Sequence, residues 1–166
     1  DEEVLTIFAR LNTYSVRLNR QELRNGRFFG PFKQTAYQLA YSHLTFWRNN
    51  KVFSDTSIAR MIEVEFTSEL MILLLDGLQD KKKSIDLFYR KFDETFPEKR
   101  QVESRFRRVI DEINETFPSG LANSQFRRTP LFYSLFSAIA HRLFGLPGAD
   151  LPATPIKVLS APERQK

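Results

Sequence analysis

A chain of 166 residues, 42% hydrophobic and 27% charged, is long enough for one domain with a true core and is globular rather than disordered in composition. It has no cysteine, which excludes disulfides, thiolate metal sites and a cysteine nucleophile, and fits a reducing cytoplasm, the compartment this reading expects. Its formal charge of +5 admits an acidic partner such as nucleic acid and equally a mildly basic solvated surface. The longest apolar run, residues 70–75, is flanked by Glu69 and Asp76 and falls far short of the ~18–20 residues of a membrane span. No secretory signal opens the chain. It begins Asp1-Glu2-Glu3 without a methionine, so the expectation is a piece of a larger protein with something upstream.

The apolar spacing is helical throughout. Val4, Leu5, Phe8 and Leu11 mark a short helix over residues 2–11, followed by a loop over 12–16. Asn19 opens the next helix as an Asn form of the capping box, with Glu22 three residues on and Gly26 as its stop. Pro31 suits the first turn of a helix running to about Arg48. Ser54 or Asp55 caps a long helix to about Leu78, in which Ile58, Ile62, Phe66, Leu70 and Leu74 recur every four residues and Met71, Leu73 and Leu75 widen the stripe. A helix apolar around most of its circumference belongs at the centre of a bundle. Residues 80–83 are a charged connection.

Ile85, Phe88, Tyr89, Phe92 and Phe96 mark the next helix, ended by Pro97. Val102, Phe106, Val109, Ile110, Ile113 and Phe117 mark another, ended by Pro118. Thr129 as N-cap and Pro130 at the first position start the last strong helix, which presents two adjacent ridges, Leu131-Leu135-Ile139-Leu143 and Phe132-Phe136-Ala140-Phe144, as one buried face. Gly145 stops it. Residues 146–166 form a Pro-containing extended tail, with Ser160 as the cap of a truncated helix. The expected fold is therefore all-α, an irregular bundle of about six to seven helices over residues 1–145, with residues 1–30 as its leading segment.

Several chemistries are missing from the sequence. There is no Walker-type phosphate loop, no G-x-G-x-x-G and no H-E-x-x-H, and His43 and His141 stand too far apart for an H-N-H centre or metal spacing. His141 falls on the polar side of its helix, which suits a surface or interhelical hydrogen bond. The expected catalytic and metal sets are both empty.

Two groups of residues carry candidate binding chemistry. Between positions 10 and 25 stand four arginines and three asparagines, groups that fork onto phosphate and pair with bases. The same residues also read as scaffold, with Asn12 ending a helix, Asn19 and Glu22 forming the box, and Arg10 and Arg24 serving as internal ion-pair partners. The second group, Arg100, Arg105, Arg107, Arg108, Arg127 and Arg128, reads as a DNA phosphate patch or as a solvated face. Arg105 and Arg108, three apart, share a helix side away from Phe106 and Ile110.

The order Phe8-Ala9-Arg10-Leu11-Asn12-Thr13, a short gap, then Leu18-Asn19-Arg20-Gln21-Glu22-Leu23-Arg24-Asn25 closely resembles the domain-of-unknown-function 262 family, whose form is F-x-R-[IL]-N-T followed by L-x-x-Q-E-[LV]-R-N. Gly30-Pro31-Phe32 and Thr129-Pro130-Leu131-Phe132-Tyr133 look like that family's helical portion, so the resemblance covers most of residues 1–145, diagnostically only 7–26. It implies a bacterial restriction or phage-defence protein. An N-terminal ParB/sulfiredoxin-like domain carries its D-G-Q-Q-R motif for nucleotide hydrolysis or DNA sensing, and an H-N-H nuclease can follow at the C-terminus. Neither motif occurs here.

By the resemblance, this chain is the helical half, and Arg10, Asn12, Glu22, Arg24 and Asn25 form a nucleotide- or DNA-facing wall toward the missing domain. No cofactor is expected in this portion, whereas an NTP with Mg belongs to the parent. Expected partners are the upstream ParB-like domain, DNA and, for a bundle this apolar, a second copy. Two functions compete: a helical regulatory or DNA-contacting module of a nucleotide-dependent defence protein, not catalytic alone, and a purely structural or oligomerisation bundle supporting the ParB-like domain.

Overall fold

The computed structural model describes residues 17–78 and 84–149. The expected helix at 2–11, the loop after it, the connection at 80–83 and the tail from 150 onward lie outside these residues. Among the described residues the fold is all-α, with no strand. The helices are α1 (Arg20–Arg27), α2 (Pro31–Ser42), α3 (Leu44–Asn49), α4 (Asp55–Ala59), α5 (Ile62–Asp76), α6 (Ser84–Lys91), α7 (Lys99–Thr116) and α8 (Thr129–Phe144), with a 3-10 turn at Gln125–Arg127 before α8. No helix among them is long and apolar enough to cross a membrane.

The centre is α5. Ten of its fifteen residues are buried, from Glu63 to Leu74, and α2, α6, α7 and α8 pack around it. Two aromatic clusters lie around it. Phe32 lies between Phe88, Tyr89, Phe92 and Phe96, with ring centroids 5.4–6.2 Å away. Trp47, fully buried, is edge-on to Phe46, Phe53 and Phe132 at 5.1–5.6 Å. On α8 the ridge Phe132-Phe136-Ala140 is buried, while Leu131 is partly exposed at the surface.

The structure has eight helices where six were expected in this region because two long ones are each divided. The first break is at His43, whose backbone leaves the helical region (φ −110°, ψ 17°). Its ring Nδ1 lies 2.7 Å from the Leu39 carbonyl, which also accepts from the Ser42 hydroxyl at 3.1 Å. Side-chain bonds to a carbonyl compete with the helical ladder, and the turn they create lets α3 drive Trp47 into the core.

The second break is at Arg60 and Met61. Met61 adopts the left-handed region (φ 59°, ψ 25°), a conformation that costs a residue with a Cβ about 1–2 kcal/mol. The cost is offset by a tertiary bond: the Arg60 carbonyl, released from the ladder, accepts from Asn19 Nδ2 at 2.7 Å. Ser54 does cap here, accepting from the Ser57 amide at 3.1 Å, but the helix it caps is the short α4.

Three boundaries also differ from expectation. Gly26 does not stop α1, which continues through Arg27 until the Phe28 amide closes onto Arg24 O at 3.0 Å. Thr129 is the first residue of α8 rather than its cap; Arg128 holds that place without a side-chain bond. The helix α6 ends at Lys91, well before Pro97, because the chain turns to bring Asp93 to the start of α2. Asp93 Oδ1 accepts from the amides of Gly30 at 2.7 Å and Phe29 at 3.2 Å. Thus α2, whose own N-cap is a glycine with no side chain, is capped by a residue 63 positions away. Phe92 and Phe96 stay buried against Phe32 although they follow the end of the helix.

Candidate functional site

Helix α1 is attached to the bundle by two groups of polar contacts that together act as a clamp, one around Glu22 and Arg60 and one around Arg24. The capping box forms as expected, with Asn19 Oδ1 accepting from the Glu22 amide at 2.9 Å and Glu22 Oε2 accepting from the Asn19 amide at 2.6 Å. Glu22 pairs with Arg60, which donates from Nε at 2.7 Å and from a terminal nitrogen at 2.9 Å. Arg60 also donates to the Arg17 carbonyl at 2.7 Å, so one guanidinium holds both the box and the chain leading into it. That fork is the main reason the Glu22 carboxyl is held below its ordinary value, and Glu22 in turn raises Arg60.

Arg24 is only 4% exposed. Its guanidinium donates to Glu65 on α5 at 2.8 Å, to Asp86 on α6 at 2.5 Å and to Gln21 Oε1 at 3.3 Å. From Gln21 the chain of bonds continues inward. Gln21 Nε2 donates to the Tyr89 hydroxyl at 2.9 Å, and the Tyr89 and Ser68 hydroxyls meet at 3.0 Å. Ser68 donates its proton to Val64 O at 2.8 Å, so the Tyr89 proton is the one shared between the hydroxyls. Burial pushes the Tyr89 phenol up, against the opposing pull of Ser68 and Gln21. A buried arginine is tolerable when carboxylates neutralise it and its donors are satisfied, and two elements distant in sequence supply those carboxylates.

These contacts locate the expected wall. Glu22 and Arg24 turn inward, onto Arg60, Glu65 and Asp86, rather than outward. Glu22 pairs with Arg60; Arg10 and Asn12 lie outside the described residues. Asn25 is half-buried and its carbonyl accepts from Lys33 Nζ at 2.7 Å. The scaffold reading of Asn19, Glu22 and Arg24 is the one their hydrogen bonds describe.

The six patch arginines are not brought together. Arg100 is in the first turn of α7, whose far end is about 24 Å on at 1.5 Å per residue, and Arg127 and Arg128 lie at the end of the 3-10 turn that precedes α8. Carboxylates intervene: Glu112 takes Arg108 at 2.9 Å, and Glu103 faces Arg107 at 3.9 Å. Arg105 lies over the Phe144 ring at 5.3 Å. Arg100, Arg127 and Arg128 are exposed, without an ion-pair partner among the described residues.

His141 acts locally: its Nδ1 accepts from the Leu146 amide at 3.2 Å, just past the Gly145 turn. His43 packs edge-on to Phe106 at 5.3 Å, and burial holds it below the ordinary histidine value. Among the described residues, no three side chains of His, Cys, Asp and Glu converge as a metal group. A cleft beside α7, with Asp76, Lys91, Glu98, Gln101 and Arg105 in its lining, encloses about 160 Å³, below the ~300–1,000 Å³ of small-molecule sites.

Sequence reasoning did not foresee Arg60, Glu65 and Asp86 as the partners of α1, because nothing local marks them. It also passed over one legible signal: no Asp or Glu occurs between Glu22 and Asp55. No protein-family model matches the chain, and neither a curated protein nor a solved structure matches it.

Proposed function

We propose that this chain is a non-catalytic helical module whose work is to mount a neighbouring domain, with residues 17–24 as the mount. The clamp is the observation that carries this reading. Asn19, Glu22 and Arg24 are bonded to the Arg60 turn, α5 and α6, so the chain reaching Arg17 is held in one direction relative to the bundle. A segment needed only as a tether would not engage three elements of the bundle through ion pairs, two of them made by the buried Arg24. The resemblance of residues 7–26 supplies the neighbour: a ParB-like domain of a bacterial nucleotide-dependent restriction or defence protein. Nucleotide, Mg and any turnover reside in that domain.

The test joins the chain to that upstream domain and introduces Arg60→Gln, which removes the bonds to the Arg17 carbonyl and to Glu22 while leaving the aromatic core intact. Helical content is retained and the nucleotide-dependent activity of the joined protein falls. Full activity in the variant refutes the mount. Hydrolysis of ATP or GTP, or cleavage of DNA, by the isolated chain that survives purification and follows substitutions within it refutes the non-catalytic reading.

A further inference from the structure

The acid-free stretch from Leu23 to Ser54 contains Arg24, Arg27, Lys33, Arg48 and Lys51. Arg24 is buried against Glu65 and Asp86 and Arg48 is paired with Asp55 at 2.9 Å, which leaves Arg27, Lys33 and Lys51 as the cations of the stretch without an ion-pair partner among the described residues. The stretch includes all of α2 and α3. Along the outer side of α2 runs a row of rings and amides: Phe29 just before the helix, then Lys33, Gln34, Tyr37, Gln38 and Tyr41.

Two of these rings are far more exposed than a soluble surface requires, Phe29 at 70% and Tyr41 at 78%. Phe29 does not collapse onto the core, because it is propped from beneath. The Lys33 ammonium sits 4.7 Å from the Phe29 ring centroid and 5.7 Å from that of Tyr37, with the Asn25 carbonyl at 2.7 Å as its third contact. Each such cation–ring contact is modestly attractive at an exposed site and favours this placement of the ring. Tyr37 is anchored at its far end, where the hydroxyl donates to Met61 Sδ at 2.9 Å. Gln34 and Gln38 are exposed between the rings, and Gln34 donates to the Phe29 carbonyl at 3.0 Å.

We propose that this face of α2 is a stacking surface for single-stranded nucleic acid. The chemistry of the row selects the occupant. Pre-set flat rings bind flat partners, and stacking on unpaired bases is how proteins hold single strands without reading their sequence. Lys33 within the row, Arg27 at one end of it and Lys51 past α3 outnumber Asp93, and this positive excess favours an anionic strand. The one carboxylate at the Phe29 end, Asp93, already has an oxygen committed to the Phe29 and Gly30 amides. Arg27 stands at that end, and Lys51 lies just past α3, which continues from the other; Arg48 on α3 is paired with Asp55 at 2.9 Å. From Lys33 to Tyr41 the helix rises about 12 Å, room for a few nucleotides of a single strand. A duplex hides the base faces that the rings would contact, so it binds less well. This surface is separate from the polar clamp on α1, and the proposal stands or falls independently of the mounting role.

The experiment measures fluorescence anisotropy of a labelled oligothymidine of ~12 nucleotides with the whole chain at low salt, beside a duplex of the same length. The single strand binds at least about ten-fold more tightly than the duplex, and affinity falls as salt is raised. Phe29→Ala and Tyr41→Ala, both at exposed positions that leave the fold and its melting temperature in place, each weaken binding at least about five-fold, the lower end of the loss of one stacked base. Leu78→Ala, an exposed apolar residue away from the row, leaves it unchanged. The proposal is overturned if no single-strand binding is detected at low salt, if duplex binds equally, or if the two ring variants bind like the parent chain. A change in self-association on removing the rings, measured by sedimentation with oligonucleotide binding intact, overturns it in favour of an interface between copies.

Discussion

Replacing Arg24 by alanine removes the cation on which three helices converge. Asp86 is about half exposed and regains water, so its loss is small; Glu65, at 13% exposed, loses its cation in a place water reaches poorly. Gln21 loses a partner at the head of the chain of bonds to Tyr89. Breaking a buried pair from one side costs about 3–5 kcal/mol, and the rehydration of Asp86 puts the expected loss near 3. At about 2–4 °C per kcal/mol for a domain of this size, the melting temperature falls by about 6–12 °C. Urea unfolding followed by far-UV circular dichroism, and in parallel by the fluorescence of Trp47, the chain's one tryptophan, measures it. The double substitution Arg24→Met with Glu65→Gln removes both charges and recovers at least half of the loss, since an apolar side chain is then no longer asked to neutralise a carboxylate. An Arg24→Ala protein within about 0.5 kcal/mol of the parent would show that the guanidinium is not structural, and would restore the outward-facing wall as the better account of this residue.

Two glycines four residues apart should respond with opposite signs. A Cβ at Gly26 meets nothing within 4 Å, and this position is helical, so Gly26→Ala stabilises by about 0.5–1 kcal/mol; a Cβ at Gly30 would stand 2.0–2.4 Å from the backbone of Asp93, so Gly30→Ala displaces the foreign cap and costs about 3 kcal/mol from overpacking and cap loss together. Equal melting temperatures for the two variants would contradict the close approach. Glu63 is buried on α5 with one carboxylate oxygen unpartnered, and burial raises its carboxyl above the ordinary value. The folded chain therefore holds that proton more tightly than the unfolded chain, and the stabilisation, full below the unfolded value, is lost as pH rises through the folded one. Glu63→Gln should accordingly raise the melting temperature at pH 7 and leave it little changed at pH 4; a uniform shift at both would rule out the buried acid as the cause.

The aromatic and aliphatic spacing made the helices and the inward faces legible, because burial follows the 3.6-residue period directly. Thus Phe66, Leu70 and Leu74 marked α5 as central, and Phe132 and Phe136 marked the buried ridge of α8. The capping box at Asn19 was legible for the same reason, since all of its parts lie within four residues. The interruptions were not. The turn at Met61 exists because Asn19 reaches the Arg60 carbonyl from 41 positions earlier, and the end of α6 exists because Asp93 is needed 63 positions back. Neither partner announces itself locally, so an unbroken stripe is what the sequence displays. Arg24 shows the same blindness in electrostatics: beside Arg20 and Asn25 it reads as a phosphate binder, until the fold places Glu65 and Asp86 against it. For the arginines of α7, the spacing brought Arg105 and Arg108 to one side but could not show that Glu112 and Phe144 would engage them.

The borrowed cap on α2 also bears on the order of events during synthesis. As the chain leaves the ribosome from its N-terminus, Phe29 and Gly30 emerge with amide groups whose acceptor is not yet made, and Arg24 emerges before both of its carboxylates. Glu65 follows Arg24 by 41 residues and Asp93 follows Gly30 by 63, so until each is made these groups have only water for their bonds. The N-terminal third can form helix transiently but cannot lock its final arrangement until Asp93 has cleared the exit tunnel. A nascent chain stalled with Asp93 still inside the exit tunnel should therefore be open to protease near residues 28–30, and one stalled far enough on for Asp93 to lie outside it should be closed there.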